Sequence, residues 1–275
     1  MVVAAAGLAG HLPQPSVLAL AAAAGLPHGA FDYDVARLRF GHRGSGWRWR
    51  FLASYLGLVA VSLAVWWMLP TLALWLFFAL SAAHFGAQDA GPDAIRPTAV
   101  LAHGAAPIVV AALFHPAVFE RIVAVLVGDA AGTMTWLLAG PIAAVWAVAF
   151  GATLLHAIGD DLAESRARSI DLVLVAALFA AVTPLIAFAF YFALIHTPRA
   201  FADLAPRVAA SRPARMRAAL LTLLALAFAA AIFAGTRGLA VGDDVIRTTF
   251  VLLGALTVPH MWLEHACREP MPHRI

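Results

Sequence analysis

Apolar runs long enough to cross a bilayer recur along nearly the whole sequence, and a chain built this way cannot fold with water on every side. They lie at roughly 2–27, 51–69, 70–86, 98–114, 118–139, 141–158, 170–196, 216–236 and 248–266. Charged residues make up only 12% of the 275, against about a quarter in a soluble domain. The expected fold class is all-α: a polytopic transmembrane helical bundle of eight or nine spans, one integral-membrane domain over residues 1–275. Two runs are irregular. The first is interrupted by His11-Leu12-Pro13-Gln14-Pro15, and 118–139 opens on Glu120-Arg121 and carries Asp129.

Loop charge separates the two counts. All eighteen basic residues are arginines. Arg37, Arg39, Arg43, Arg48 and Arg50 crowd one connection, and Arg199, Arg207, Arg212, Arg215 and Arg217 another. The connection at 160–171 is net acidic, with Asp160, Asp161, Glu164 and Asp171. Basic loops belong on the cytoplasmic side. Both basic loops fall inside, and the acidic one outside, if 118–139 crosses. This predicts nine spans in the cell (inner) membrane, N-terminus out and C-terminus cytoplasmic. The net charge of +3 is topological and points to no nucleic-acid partner. The single cysteine, Cys267, excludes an internal disulfide and a thiolate cluster. No basic segment precedes the first apolar run, so a cleaved signal peptide is not expected.

On that topology His28, His84, His103, His196, His260 and His265 all fall in the cytoplasmic half. Ionisable side chains within apolar spans are costly and mark functional sites. Two of the six sit in similar surroundings, Pro27-His28-Gly29-Ala30-Phe31-Asp32 and His84-Phe85-Gly86-Ala87-Gln88-Asp89. Imidazole suits iron, zinc and copper. A ligating histidine needs its other ring nitrogen held, commonly by a carboxylate, and Asp32 and Asp89 stand at suitable offsets. If the chain is helical there, His28 and Asp32 share a face, whereas Asp89 needs the helix to end, which Gly86 allows. The aromatic run Phe188, Phe190, Tyr191, Phe192 before His196 would suit the wall of an apolar tunnel. Phosphate-binding loops, dinucleotide fingerprints, Cys-x-x-Cys pairs, nucleophile elbows and the histidine boxes of membrane desaturases are absent.

At these residues the chain resembles the Brp/Blh family, bacteriorhodopsin-related membrane proteins that include β-carotene 15,15'-dioxygenases. The resemblance is carried by Gly25-Leu26-Pro27-His28-Gly29-Ala30-Phe31-Asp32, Ser81-Ala82-Ala83-His84-Phe85-Gly86-Ala87-Gln88-Asp89 and Ala102-His103-Gly104. It continues through Tyr191-Phe192-Ala193-Leu194-Ile195-His196-Thr197-Pro198-Arg199 and Leu256-Thr257-Val258-Pro259-His260-Met261. It implies an all-helical carotenoid-oxygenase-like enzyme holding Fe(2+) through His28, His84 and His196. Such an enzyme would cleave the central double bond of β-carotene, or a close carotenoid, with dioxygen to give retinal, for which a retinal-accepting rhodopsin is a natural partner. The family's fourth ligand histidine falls on Ala200, so His103 or His260 is expected to complete the set. The adjacent Glu264-His265 would fit a rearranged coordination sphere. The alternatives are a non-catalytic carotenoid-binding or rhodopsin-assisting relative, another membrane metallo-oxidoreductase, and a transporter. A transporter should show paired broken helices in an inverted repeat; breaks are read near Pro13, Pro141 and Pro184, but the His-Gly-Asp pattern does not recur in inverted order.

Overall fold

The structure is a computed structural model that describes residues 14–268, apart from 43, 45, 160–162, 209–210, 236–237 and 239. The side chains of residues 28, 92, 203–207, 267 and 268 are not described. Every described element is helical. Helices satisfy their own backbone polar groups, as hydrocarbon requires.

The order begins α1 (Gln14–Gly29), α2 (Asp32–Phe40), α3 (Trp47–Met68) and α4 (Pro70–Asp89). A short turn, Gly91–Ile95, leads to α5 (Pro97–Phe114) and α6 (Pro116–Val127). Then come α7 (Ala131–Leu137), a wide π turn at Leu138–Ile142, α8 (Ala143–Gly159) and α9 (Ala163–Ala181). The chain finishes with α10 (Pro184–Tyr191), a second π turn at Phe192–His196, α11 (Thr197–Val208), α12 (Arg212–Gly235) and α13 (Val241–Arg268). Pro70, Pro97, Pro116 and Pro184 each open a helix. At that position the missing N–H costs nothing and the fixed φ is already helical.

The expected eight or nine spans are not found. Among the described residues six segments are long and apolar enough to cross a membrane: Trp47–Met68, Pro70–Asp89, Pro97–Phe114, Pro116–Gly159, Pro184–Ala202 and Arg212–Gly235. The runs at 118–139 and 141–158 belong to one of them. Gly128 adopts φ 62°, and a Cβ on Gly132 would lie 3.3 Å from Oε1 of Glu120. Twelve residues of straight helix would separate these positions by about 18 Å, so the chain doubles back at Gly128. The Asp129 charge, which looked mid-span, is exposed on that turn. Helix α6, about 18 Å long, is too short to cross alone.

The run at 170–196 is broken as well. Thr183 is extended (ψ 141°), so α9 ends and α10 starts afresh at Pro184. Helix α9 carries Glu164, Arg166, Arg168 and Asp171 in its first half. The described part of the first run is only the 16 residues of α1, and α13 carries Asp243, Asp244, Arg247 and Glu264. The sidedness argument needs a crossing at 118–139 and loses its support with it.

Helices α4 and α5 form the tightest pair in the core. A Cβ on Gly104 would overlap the carbonyl oxygen of Ala82, and one on Gly86 would overlap that of Val100. The two backbones touch where His84 and His103 leave them. Gly86 therefore serves close packing; it does not end the helix, which continues to Asp89. Trp146 of α8 donates its indole N–H to Ala102 O at 2.9 Å and locks α8 onto the same stretch of α5. Around this core α13 packs against α1, α2, α3, α4 and α12. Gly104→Val should cost at least about 1–3 kcal/mol through overpacking, seen as a lowered melting temperature in detergent. An unchanged melting temperature would contradict the close approach.

Candidate metal centre

His84 projects from the last turns of α4 and is buried. His260 and Glu264 stand four residues apart on α13 and so share a face. One donor atom from each of His84, His260 and Glu264 lies within 4.8 Å of the other two. Nδ1 of His84 is 3.1 Å from Oε2 of Glu264, and Nε2 of His260 is 3.5 Å from Oε1. The His196 ring, only 1% exposed, packs edge-on to His84 with centroids 5.2 Å apart. The His84 and His260 rings are 5.3 Å apart. His84, His196, His260 and Glu264 thus come from three separate stretches of chain to one place.

The π turn at Phe192–His196 carries one of these rings. Such widened turns occur often at functional sites. The rings before His196 stay aligned across it. Phe192 stacks on His196 at 5.6 Å and 19°, and Phe188 stacks on Phe192 at 5.5 Å and 13°.

Asp32 is buried and takes two bonds at the site. Its Oδ1 lies 2.8 Å from Nδ1 of His260, and its Oδ2 accepts the Tyr55 hydroxyl at 2.9 Å. A carboxylate on Nδ1 orients the ring and turns Nε2 toward Glu264. Asp89 makes a different set of contacts. It accepts the Tyr191 hydroxyl at 2.6 Å and an Arg199 N–H at 3.0 Å, while Arg199 also binds Asp171.

The remaining sequence candidates are placed as follows. The side chain of His28 lies outside the described residues. Its backbone is in the last turn of α1, and Leu26 and Gly29 on either side line the cavity described next. A turn at Ala30-Phe31 separates it from Asp32, which opens α2, so the two do not share one helix. His103 is buried on α5 and is not in the metal-capable group among the described residues. His265 is exposed, and Ala200 lies on α11. The hydroxyl contacts of Tyr55 and Tyr191 carried no signal in the sequence, because their partners lie 23 and 102 positions away.

A cavity of about 370 Å³ ends on this group. His84, His196, His260, Asp32 and Tyr55 lie together in its lining, and the rest is mostly apolar, with leucine and phenylalanine side chains the most numerous. Its wall residues Leu56 and Leu224 are 61% and 56% exposed on the outside of the bundle. The cavity therefore reaches the apolar outer surface between α3 and α12.

Two imidazoles and a carboxylate in mutual reach, with further positions open toward a cavity, make the donor set of non-haem iron(II) oxygen chemistry. The residues fit such an ion. Fold and site together define a class: an all-α, multi-pass membrane oxidoreductase with a histidine–carboxylate metal site facing an apolar cavity. The family model described as Beta-carotene 15,15'-dioxygenase matches residues 19–267, and the chain belongs to that family. It is 28% identical to the Beta-carotene 15,15'-dioxygenase of Uncultured marine bacterium 66A03, over 94% of this chain and 95% of that protein. No solved structure matches the chain.

Asp32→Asn should weaken iron retention by about 10–100-fold through loss of the Nδ1 partner. Elemental analysis of purified protein, with circular dichroism as the folding control, measures it. Wild-type iron content would remove Asp32 from the support of the site.

Proposed function

We propose that this protein is an iron-dependent dioxygenase of the cell membrane that cleaves β-carotene, or a close carotenoid, at the central 15,15' double bond to give retinal. The observation that carries the reading is the apolar cavity that begins at the outer surface of the bundle and meets His84, His196 and His260, two of which are in reach of Glu264. A lipid-dissolved polyene enters such a cavity without passing through water. Membership of the family supplies the substrate class.

His84, His260 and Glu264 would hold the ion, with the His196 ring beside them and His28 retained from the sequence as a further ligand. A bound ferrous ion would supply the electrons that activate dioxygen. The chain's own residues do the rest. Asp32 and Tyr55 hold His260 in one orientation. The stacked Phe188 and Phe192 rings line the cavity with hydrocarbon beside His196 and keep water out. Holding one double bond of many against the site is the main demand on the protein. One oxygen atom ends in each aldehyde, so the stoichiometry needs no external reductant. Retinal leaves to the bilayer, where a retinal-binding rhodopsin would collect it.

Expression in cells that accumulate β-carotene tests the reading: colour should fade and retinal should appear by chromatography. Carotenoid that co-purifies uncleaved would instead fit a non-catalytic carotenoid-binding protein. Phe192→Trp should lower retinal output by about tenfold or more through crowding of the slot, before it disturbs metal content. Wild-type output would remove Phe192 from the substrate path.

A further inference from the structure

A second, smaller apolar cavity of about 60 Å³ lies inside the bundle beyond the first. Phe78, Ala111, Phe119, Val123, Leu185 and Phe250 contribute to its lining. The two cavities share Phe77, Ser81, Phe85 and Phe188 as a common wall. Phe250 extends the ring stack across that wall, lying 6.3 Å from Phe188 at 27°. His196, Phe192, Phe188 and Phe250 therefore form a continuous ladder of near-parallel rings from the histidine group to the inner cavity. Phe77 closes against the end of the ladder, edge-on to Phe250 at 6.0 Å.

We infer that the inner cavity is the seat for one ring-bearing end of the carotenoid, and that its depth selects which double bond meets the site. The inference rests on the carotenoid-cleaving reading and adds a specificity subsite to it. Three observations favour this occupant. The inner lining is apolar, as a hydrocarbon ring requires. The ring ladder runs along both cavities and keeps the route between them hydrocarbon-lined for an apolar conjugated chain. Phe85, whose ring is 4.5 Å from that of His196, lines the near side of the inner cavity, and Phe250, ten residues before His260 on α13, carries its lining to about 15 Å from the histidine layer along the helix axis. That span is commensurate with one half of a symmetric carotenoid, ring included. Phe188, only partly buried, lines both cavities and is the member of their common wall whose rotation would join them. With the ring end seated, the central double bond lies at the histidine group. A shallower or deeper seat would displace the cut.

The test changes the depth of the seat and reads the products made in β-carotene-accumulating cells. Ala111→Phe fills the inner cavity from α5. The expected result is retinal output reduced by about tenfold, or a cut moved to an off-centre bond with aldehydes of unequal length, at unchanged iron content. Retinal at the wild-type level, or joint loss of retinal and iron, would overturn the inference. Should Ala111→Phe fail to accumulate in the membrane, Phe188→Ala decides the matter. Opening the wall should let the arm slide deeper and give unequal aldehydes, and retinal as the sole product would overturn the subsite. The two readings fail separately. Wild-type protein that makes no retinal removes the carotenoid-cleaving function and the inference with it. Wild-type retinal unaltered by a stably inserted Ala111→Phe removes the subsite alone.

Discussion

A buried carboxylate in an apolar bundle must find partners or lose its charge, and Asp89 does so in a way that fixes the site's geometry. It lies five residues after His84. Its two oxygens hold Tyr191, five residues before His196, and Arg199, three residues after it. The contacts bracket the π turn and tie it to the end of α4. Removing one partner from such a buried group costs several kcal/mol, on the order of 3–5, because the other is left uncompensated. The ring of His196 thus meets that of His84 because the chain on both sides of it is anchored to one carboxylate. Asp171 on α9 extends the anchor to a third stretch of chain through Arg199.

The other half of the site comes from α13. His260 and Glu264 are one turn apart, and Asp32 reaches across from α2 to hold His260 from behind. Tyr55 on α3 in turn holds Asp32. Asp32, His84, His260 and Glu264 each have a polar neighbour here, while the rest of the cavity lining is mostly apolar. The arrangement keeps polar chemistry at one end of an apolar slot. Glu264, its side chain 40% exposed, is the least enclosed member of the group.

Much of this was legible because ionisable residues stand out in apolar runs. That contrast singled out His28, His84 and His196, with His103 or His260 to complete the set and Asp32 paired by spacing with His28; the structure sets the rings of His84, His196 and His260 side by side and puts Asp32 on His260. Glu264 was visible only as an unusual acid near His265. The long-range hydroxyls of Tyr55 and Tyr191 left no trace, since an aromatic in a membrane segment reads as packing or interface. The role of Asp89 was misjudged because spacing from His84 says nothing about Arg199 far along the chain. The span count failed for a related reason. Apolar composition is blind to the reversal at Gly128 and to the break at Thr183-Pro184, although Gly128, Asp129 and Gly132 together carried the turn signal.

The central proposal is that His84, His260 and Glu264, beside His196, would hold iron where the cavity meets the histidines. X-ray absorption at the iron edge of the purified protein in detergent tests it most directly. The account predicts a shell of nitrogen and oxygen donors with the outer scattering of at least two imidazoles, and loss of one imidazole's contribution in His260→Ala. A spectrum unchanged by His260→Ala, or one without imidazole scattering, would contradict it.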